Sequence, residues 1–147
     1  MTRYGRVLYI GAFLVLLVVG GWLWRQERQV QLLLGARAFM LDRADTAAQQ
    51  EQGLSGRDSM ARDAGMVFVF DQPGVQCFWM KDMHFPLDML WLNASRQVVH
   101  VERDVAPGTY PKTFCPSVMA MYVIELNAGQ TASAGIRPGD NLVFLGL

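Results

Sequence analysis

The chain has 147 residues, 52% of them hydrophobic, with two cysteines and 13 basic against 13 acidic groups. That length is room for one ordinary domain, the apolar content is far above that of a disordered chain, and two cysteines exclude a disulfide-dense scaffold and a Cys-rich zinc module. The zero net charge hides a split. Residues 1–36 carry four arginines against Glu27, and residues 37–147 carry nine basic groups against twelve acidic ones. A slightly acidic domain is a poor match to nucleic acid, whose phosphates need clustered Lys and Arg, so no nucleic-acid partner is expected.

Val7–Trp24 holds 18 residues without a charge. As a helix at ~1.5 Å per residue it would span roughly 27 Å, close to the hydrocarbon thickness of a bilayer. Arg3 and Arg6 precede it, Arg25 and Arg28 follow it, and Trp22 and Trp24 suit the headgroup zone. The pattern predicts an uncleaved signal anchor over residues 7–24. The alternative is a cleavable signal peptide, but no A-x-A pattern follows the apolar run, and Trp22-Leu23-Trp24 would be an odd mature start. The short tail of residues 1–6 and the cysteines of the domain predict a cytoplasmic N-terminus. The domain then faces the periplasm or cell exterior from the inner membrane.

Residues 25–36 read as a linker or a helical continuation, and residues 37–147 as one β-rich domain. Ala38–Asp42 is short enough for a strand. Thr46 and Gln49 fit a capping box, and Gly53 sits where a positive φ ends a helix, so a two-turn helix is expected over Thr46–Gln52. Met66–Phe70 is apolar on both faces and reads as a covered strand. Gln76–Lys81, Leu87–Leu92 and Val98–Arg103 follow, the last with Val99 and Val101 on one face and His100 on a solvated one. Met119–Asn127 reads as a long strand. Ala128–Ala134 reads as a short helix opened by Asn127 and stopped by Gly135, and Asn141–Leu145 as a last strand. The expected class is mainly β (α+β): a small barrel- or sandwich-like domain of six to seven strands with two short helices, preceded by one transmembrane helix.

Chemistry-bearing residues are few. Cys77 and Cys115 read as a disulfide if the domain is outside the cytoplasm, or as two separate buried thiols. Met80, Met83, His84 and Cys77 are soft groups that could bind Cu(I), but strand alternation keeps them from converging and Met fills β cores well. No metal and no cofactor are expected. Lys81, Asp88 and Glu125 each lie in or beside an apolar strand, where a charge must be paired, solvated through a pocket or protonated. An internal ion pair of Arg57 or Lys81 with Asp88 or Glu125 is one reading, and a polar patch at a barrel mouth is the other. No G-x-S-x-G, phosphate-binding loop or His pair at i, i+4 occurs.

Six blocks carry a family resemblance: Gly53-Leu-Ser-Gly-Arg57, Gly65-Met-Val-Phe-Val-Phe70, Phe78-Trp-Met-Lys81, Pro86-Leu-Asp88, Tyr122 to Gly129, and Gly135 to Asp140. In this order they resemble the DUF192 (UPF0127) family over residues 38–145. The resemblance implies a small, mainly β domain behind a signal peptide or anchor and names no activity. Arg57, Lys81, Asp88 and Glu125 match the family's charged positions. Asp82 stands where the family usually has Asn.

The expected function is a membrane-tethered extracytoplasmic binding or accessory domain. Arg57, Trp79, Lys81, Asp88 and Glu125 form its candidate patch, with Trp79 as a stacking surface. Its partners would be the inner membrane through residues 7–24 and a small ligand or a protein. One alternative is an envelope-acting hydrolase using Asp88 and Glu125 as a carboxylate pair. Another is a partner-docking domain of a membrane complex.

Overall fold

The computed structural model describes residues 29–34 and 37–147. The predicted anchor, Val7–Trp24, lies outside the described residues. Among those described, no helix is long and apolar enough to cross a membrane. The elements are β1 (Gln29–Leu34), β2 (Arg37–Ala44), α1 (Ala47–Gln52), β3 (Ala64–Gly74), β4 (Phe78–Trp79), β5 (Leu87–Leu92), β6 (Val98–Val105), β7 (Thr113–Phe114), β8 (Ala120–Asn127), α2 (Gln130–Ser133) and β9 (Val143–Leu145).

Seven strands make one sheet in the order β6-β5-β8-β3-β2-β1-β9, while β4 and β7 pair as a separate ribbon. Neighbours are antiparallel except β2 and β3, which run parallel. A parallel pair needs a crossover, and residues 45–63 supply it, carrying α1 and Arg57 over the sheet. The sheet curls until its edges meet at one point. Gln97 bridges Asn141, and Val98 N–H donates to the Asp140 carbonyl at 2.8 Å. No continuous ladder closes it, so the fold is an open, curled sheet rather than a complete barrel or a sandwich.

Side-chain alternation gives the sheet two apolar faces. The inner face of the curl holds Leu32, Phe39, Leu41, Leu90, Ile124 and Phe144. The outer face is covered at one end by α1, the ribbon and the loops beside it, over Phe68, Met80, Met89, Trp91 and Val123. At the β3–β8 crossing there is no room for a side chain. A Cβ on Gly65 would lie 2.6 Å from the Glu125 carbonyl and 2.7 Å from Leu41 and Leu126 side-chain carbons. Gly65→Ala is therefore expected to destabilise by about 3 kcal/mol, since the obstacle includes backbone. The midpoint of urea unfolding reads this directly.

Several expectations change in detail. The stretch read as a linker contains β1, with Val30, Leu32 and Leu34 buried and Gln29, Gln31 and Leu33 turned outward. The run Leu32-Leu33-Leu34 hides that alternation in the sequence. Gln76–Lys81 shrinks to the two-residue β4, because the Gln76 carbonyl accepts the Trp91 indole N–H at 2.7 Å. Val99 and Val101 part company. The register between β5 and β6 slips between Trp91 and Leu92, so Val101 packs on the inner core and Val99 on the outer one. His100 is half-buried beside Trp91, with ring centroids 5.2 Å apart. The predicted capping box of α1 is present, with Thr46 Oγ1 accepting from Gln49 N–H and Gln49 Oε1 accepting from Thr46 N–H. Asn127 does not cap α2. Its amide donates to the carbonyls of Met60 and Ala61, and the shorter helix starts after Gly129.

Cys77 and Cys115 form a disulfide across 38 residues, beside the β4–β7 ribbon. Two-residue strands hold little by themselves. In the chain-entropy model a loop of this length contributes about 4 kcal/mol. Reduction, or Cys77→Ala with Cys115→Ala, is expected to lower stability by that amount, read by urea unfolding with and without reductant.

Candidate functional site

Register places Asp42, Met66, Glu125 and Met89 in one row across β2, β3, β8 and β5, all on the outer face. Two ionisable groups thus share an apolar row. Arg57, delivered by the crossover, reaches Asp42 with a 2.8 Å ion pair in which both side chains remain partly exposed. The pair forms one wall of an open cleft of about 560 Å³, lined also by Ala44, Gln49, Gly53 and Met66.

Gly53 also borders a second, narrower crevice of about 30 Å³ that ends on Glu125 among Leu54, Phe68, Phe78, Trp79 and Met83. Gly53 ends α1 with φ of 50°, a conformation that favours glycine, and a Cβ there would press on the Phe68 ring at 3.4 Å. The glycine lets the end of the helix lie against the aromatic floor.

Glu125 is 4% exposed. Burial pushes its carboxyl up to about 8, and the Arg57 guanidinium pulls it the other way. No hydrogen bond from another described residue offsets the burial. At neutral pH the group is a buried carboxylic acid, able to donate one hydrogen bond and accept another. Trp79 stands at the crevice rim, 47% exposed. Its neighbour Phe78 points inward and packs edge-on against Phe68 and Trp91, so strand alternation turns one aromatic into the core and the other outward.

Lys81 lies across Ser55 from this crevice, in a groove with Glu51, Gln52 and Asp82. Its carbonyl accepts the Ser55 hydroxyl at 2.9 Å, and the Asp82 carbonyl accepts Gly56 N–H at 2.8 Å. The loop after α1 is thereby stitched to the loop after β4. Asp82 has φ of 54°. Asn and Asp both tolerate that left-handed backbone, so a turn conformation is the property the two residues share here.

Asp88 is elsewhere. It pairs with Leu126 while its neighbour Met89 pairs with Glu125, so Asp88 and Glu125 point to opposite faces of the sheet. The Asp88 carboxylate is fully buried and accepts three hydrogen bonds: Asp104 N–H at 3.0 Å, Thr131 N–H at 2.9 Å and Thr131 Oγ1 at 2.8 Å. The first donor exists because β6 bulges opposite Asp88, between the Leu87–Val105 and Met89–Glu102 pairs. Asp88 thus ties the bulge to α2. Neither Arg57 nor Lys81 is its partner.

Four of the five predicted patch residues gather around the end of α1, and Asp88 does not. Sequence reading missed Asp42, Gly53 as a shared wall, and Met66. Asp42 carried a signal, being a charge at the end of an apolar strand, but its partner came from another element. Of the soft groups, Cys77 is in the disulfide, Met80 and Met83 are core residues, and His84 is exposed with Asp58 at 3.1 Å.

The DUF192 family model, described as Uncharacterized ACR, matches residues 30–144. A proposed transcription regulator from Sinorhizobium meliloti 1021 is 32% identical in sequence. That solved structure covers 81% of this chain and 94% of its own, with a TM-score of 0.73. A protein of unknown function from Novosphingobium aromaticivorans DSM 12444 is 28% identical over 78% of this chain and 83% of its own, with a TM-score of 0.71. No curated protein matches the chain.

Proposed function

The chain belongs to the DUF192 family, and from that premise we propose that it is a membrane-tethered extracytoplasmic domain that binds a small polar ligand in the Arg57–Glu125 cleft. One observation carries the reading. An open cleft beside Arg57 and a narrow crevice that ends on the buried Glu125 carboxyl share Gln52 and Gly53 as a wall, and no other described residue hydrogen-bonds that carboxyl. Burying such a group costs free energy that an apolar side chain at the same place would not. A ligand with a hydrogen-bonding group toward Glu125 and an anionic or carbonyl oxygen toward Arg57 offsets that cost. Trp79 at the rim offers a flat surface for an apolar or ring part of the same molecule. The tether rests on the uncharged Val7–Trp24 segment and its basic flanks. The outward orientation is supported by the Cys77–Cys115 disulfide, which persists in oxidising compartments.

The rival readings find less support. A hydrolase built on Asp88 and Glu125 needs the two carboxyls together, and they lie on opposite faces of the sheet. Gene regulation, the role in the Sinorhizobium protein's name, would need a basic surface, and residues 37–147 are acidic on balance.

Native mass spectrometry of the full chain, extracted gently from its own membrane, tests the binding reading. The expected result is a co-purifying adduct of a few hundred daltons, on the scale a cleft of this size admits, lost in Arg57→Ala and in Trp79→Ala while the disulfide stays formed. A bare wild-type chain, or an adduct kept equally by both variants, overturns it.

A further inference from the structure

The outer face of the sheet is covered by α1 and the ribbon at one end only. At the other end, across β9, β1 and β2, it carries an uncovered strip. Leu33 pairs with Val143, and Gln31 pairs with both Leu145 and Met40. These four apolar side chains therefore lie on one face, on three neighbouring strands, with exposures between 37% and 55%. Their inward-facing neighbours Leu32, Leu34, Phe39 and Phe144 fill the core. The strip is a second apolar surface on strands that already bury one. Grouped exposed apolar residues mark contact surfaces, where singly scattered ones do not.

We infer that this strip rests on the lipid surface of the membrane that carries the chain. The inference rests on the tether proposed above and adds which face of the domain meets the bilayer. The argument is one of reach and charge. Only residues 25–28 separate the apolar segment ending at Trp24 from Gln29, the first residue of β1. Five Cα-to-Cα steps span about 18 Å at most, so β1 starts close to the headgroups. Arg25 and Arg28 lie in that connection, suited to anionic lipid. β1 is the middle strand of the strip and carries Leu33 on its outer face. A domain held this near the surface by its own first strand presents Leu33, Met40, Val143 and Leu145 to the interface, where apolar tips are accommodated. The geometry also sets the cleft at the membrane. Gln29 pairs with Asp42, the ion-pair partner of Arg57, so the strip and the cleft wall are continuous on one face.

Site-directed spin labelling of the full chain in vesicles with part anionic lipid tests this. Labels are placed at Met40→Cys and, separately, Leu145→Cys, with Asp71→Cys as an exposed reference, and the native cysteines are left in their disulfide. Each label is challenged with oxygen, which concentrates in lipid, and with a neutral nickel chelate, which stays in water. The expected result is a several-fold higher oxygen-to-nickel ratio at Met40 and Leu145 than at Asp71. Equal ratios at all three sites overturn the contact. So does spin–spin broadening at Met40 or Leu145 that disappears on dilution with unlabelled chain, which would make the strip an interface between two copies. A carbonate wash of the same vesicles separates the two levels. If the chain stays with the lipid and the ratios are equal, only the contact fails; if the chain washes off, the tether fails and takes the contact with it.

Discussion

Glu125→Gln makes the domain more stable at neutral pH and removes a slope from its pH–stability curve. The Glu125 carboxyl titrates near its ordinary value of 4.5 in the unfolded chain and near 8 in the folded one, raised by burial against the opposing pull of Arg57. Between those values the folded state holds one more proton than the unfolded state. Stability therefore falls as pH rises from about 4.5 to 8 and levels off above it. The full fall is about 5 kcal/mol, and about 3 kcal/mol of it is already lost at pH 7, at roughly 1.4 kcal/mol per pH unit. Gln keeps the shape and loses the titration, so the difference between variant and wild type should grow with pH over that window. Urea unfolding of the full chain in detergent at pH 5, 6, 7 and 8 checks it, and parallel curves for the two proteins would refute it. Arg57→Gln works in the opposite sense. Removing the cation moves the titration above 8 and extends the sloping window.

Asp88→Ala is expected to cost about 5 kcal/mol, because it strands the buried N–H and hydroxyl of Thr131 and the part-buried N–H of Asp104 at roughly 1–3 kcal/mol each. Asp88→Asn should cost about half as much. The amide oxygen still accepts, but the amide nitrogen faces a donor. Thr131→Val removes one donor together with its need for a partner and should cost about 1 kcal/mol. This ordering of Ala, Asn and Val effects, read as unfolding midpoints, identifies a carboxylate that holds the β6 bulge to α2. Trp79→Ala, at the exposed rim of the proposed cleft, would behave differently: it would abolish the adduct and leave the midpoint in place.

What the sequence made legible follows from how local each signal is. The capping box at Thr46 and the central strands β5 and β8 depend on neighbours in the chain, and they stand where the pattern puts them. β1 was missed because three consecutive leucines hide a period of two, and its register is fixed by β2 and by β9, more than a hundred residues away. The site divides in the same way. Apolar strands with a lone charge marked Asp88 and Glu125 correctly as buried groups. Their partners could not be read, because a bulge in β6 and a crossover loop decide them. Opposite parity in two paired strands, combined with register, sends one carboxyl to each face, and register is a property of three-dimensional pairing.

The place of β9 has a consequence for how the molecule is made. The last strand of the chain completes the sheet beside the first. Chain synthesis runs from β1 to β9, so the β1–β2 hairpin must wait, with one side of its backbone unpaired, until the residues up to β9 have emerged. Pairings this distant in sequence form late, because the loop between them must be closed first. An unpaired strand edge is meanwhile a template for the wrong partner. The brief length of β9, three residues, limits how much of the sheet depends on that final step. The five other pairings of the sheet can assemble first, and the closing strand then acts as a latch whose failure would leave a nearly complete, adhesive intermediate.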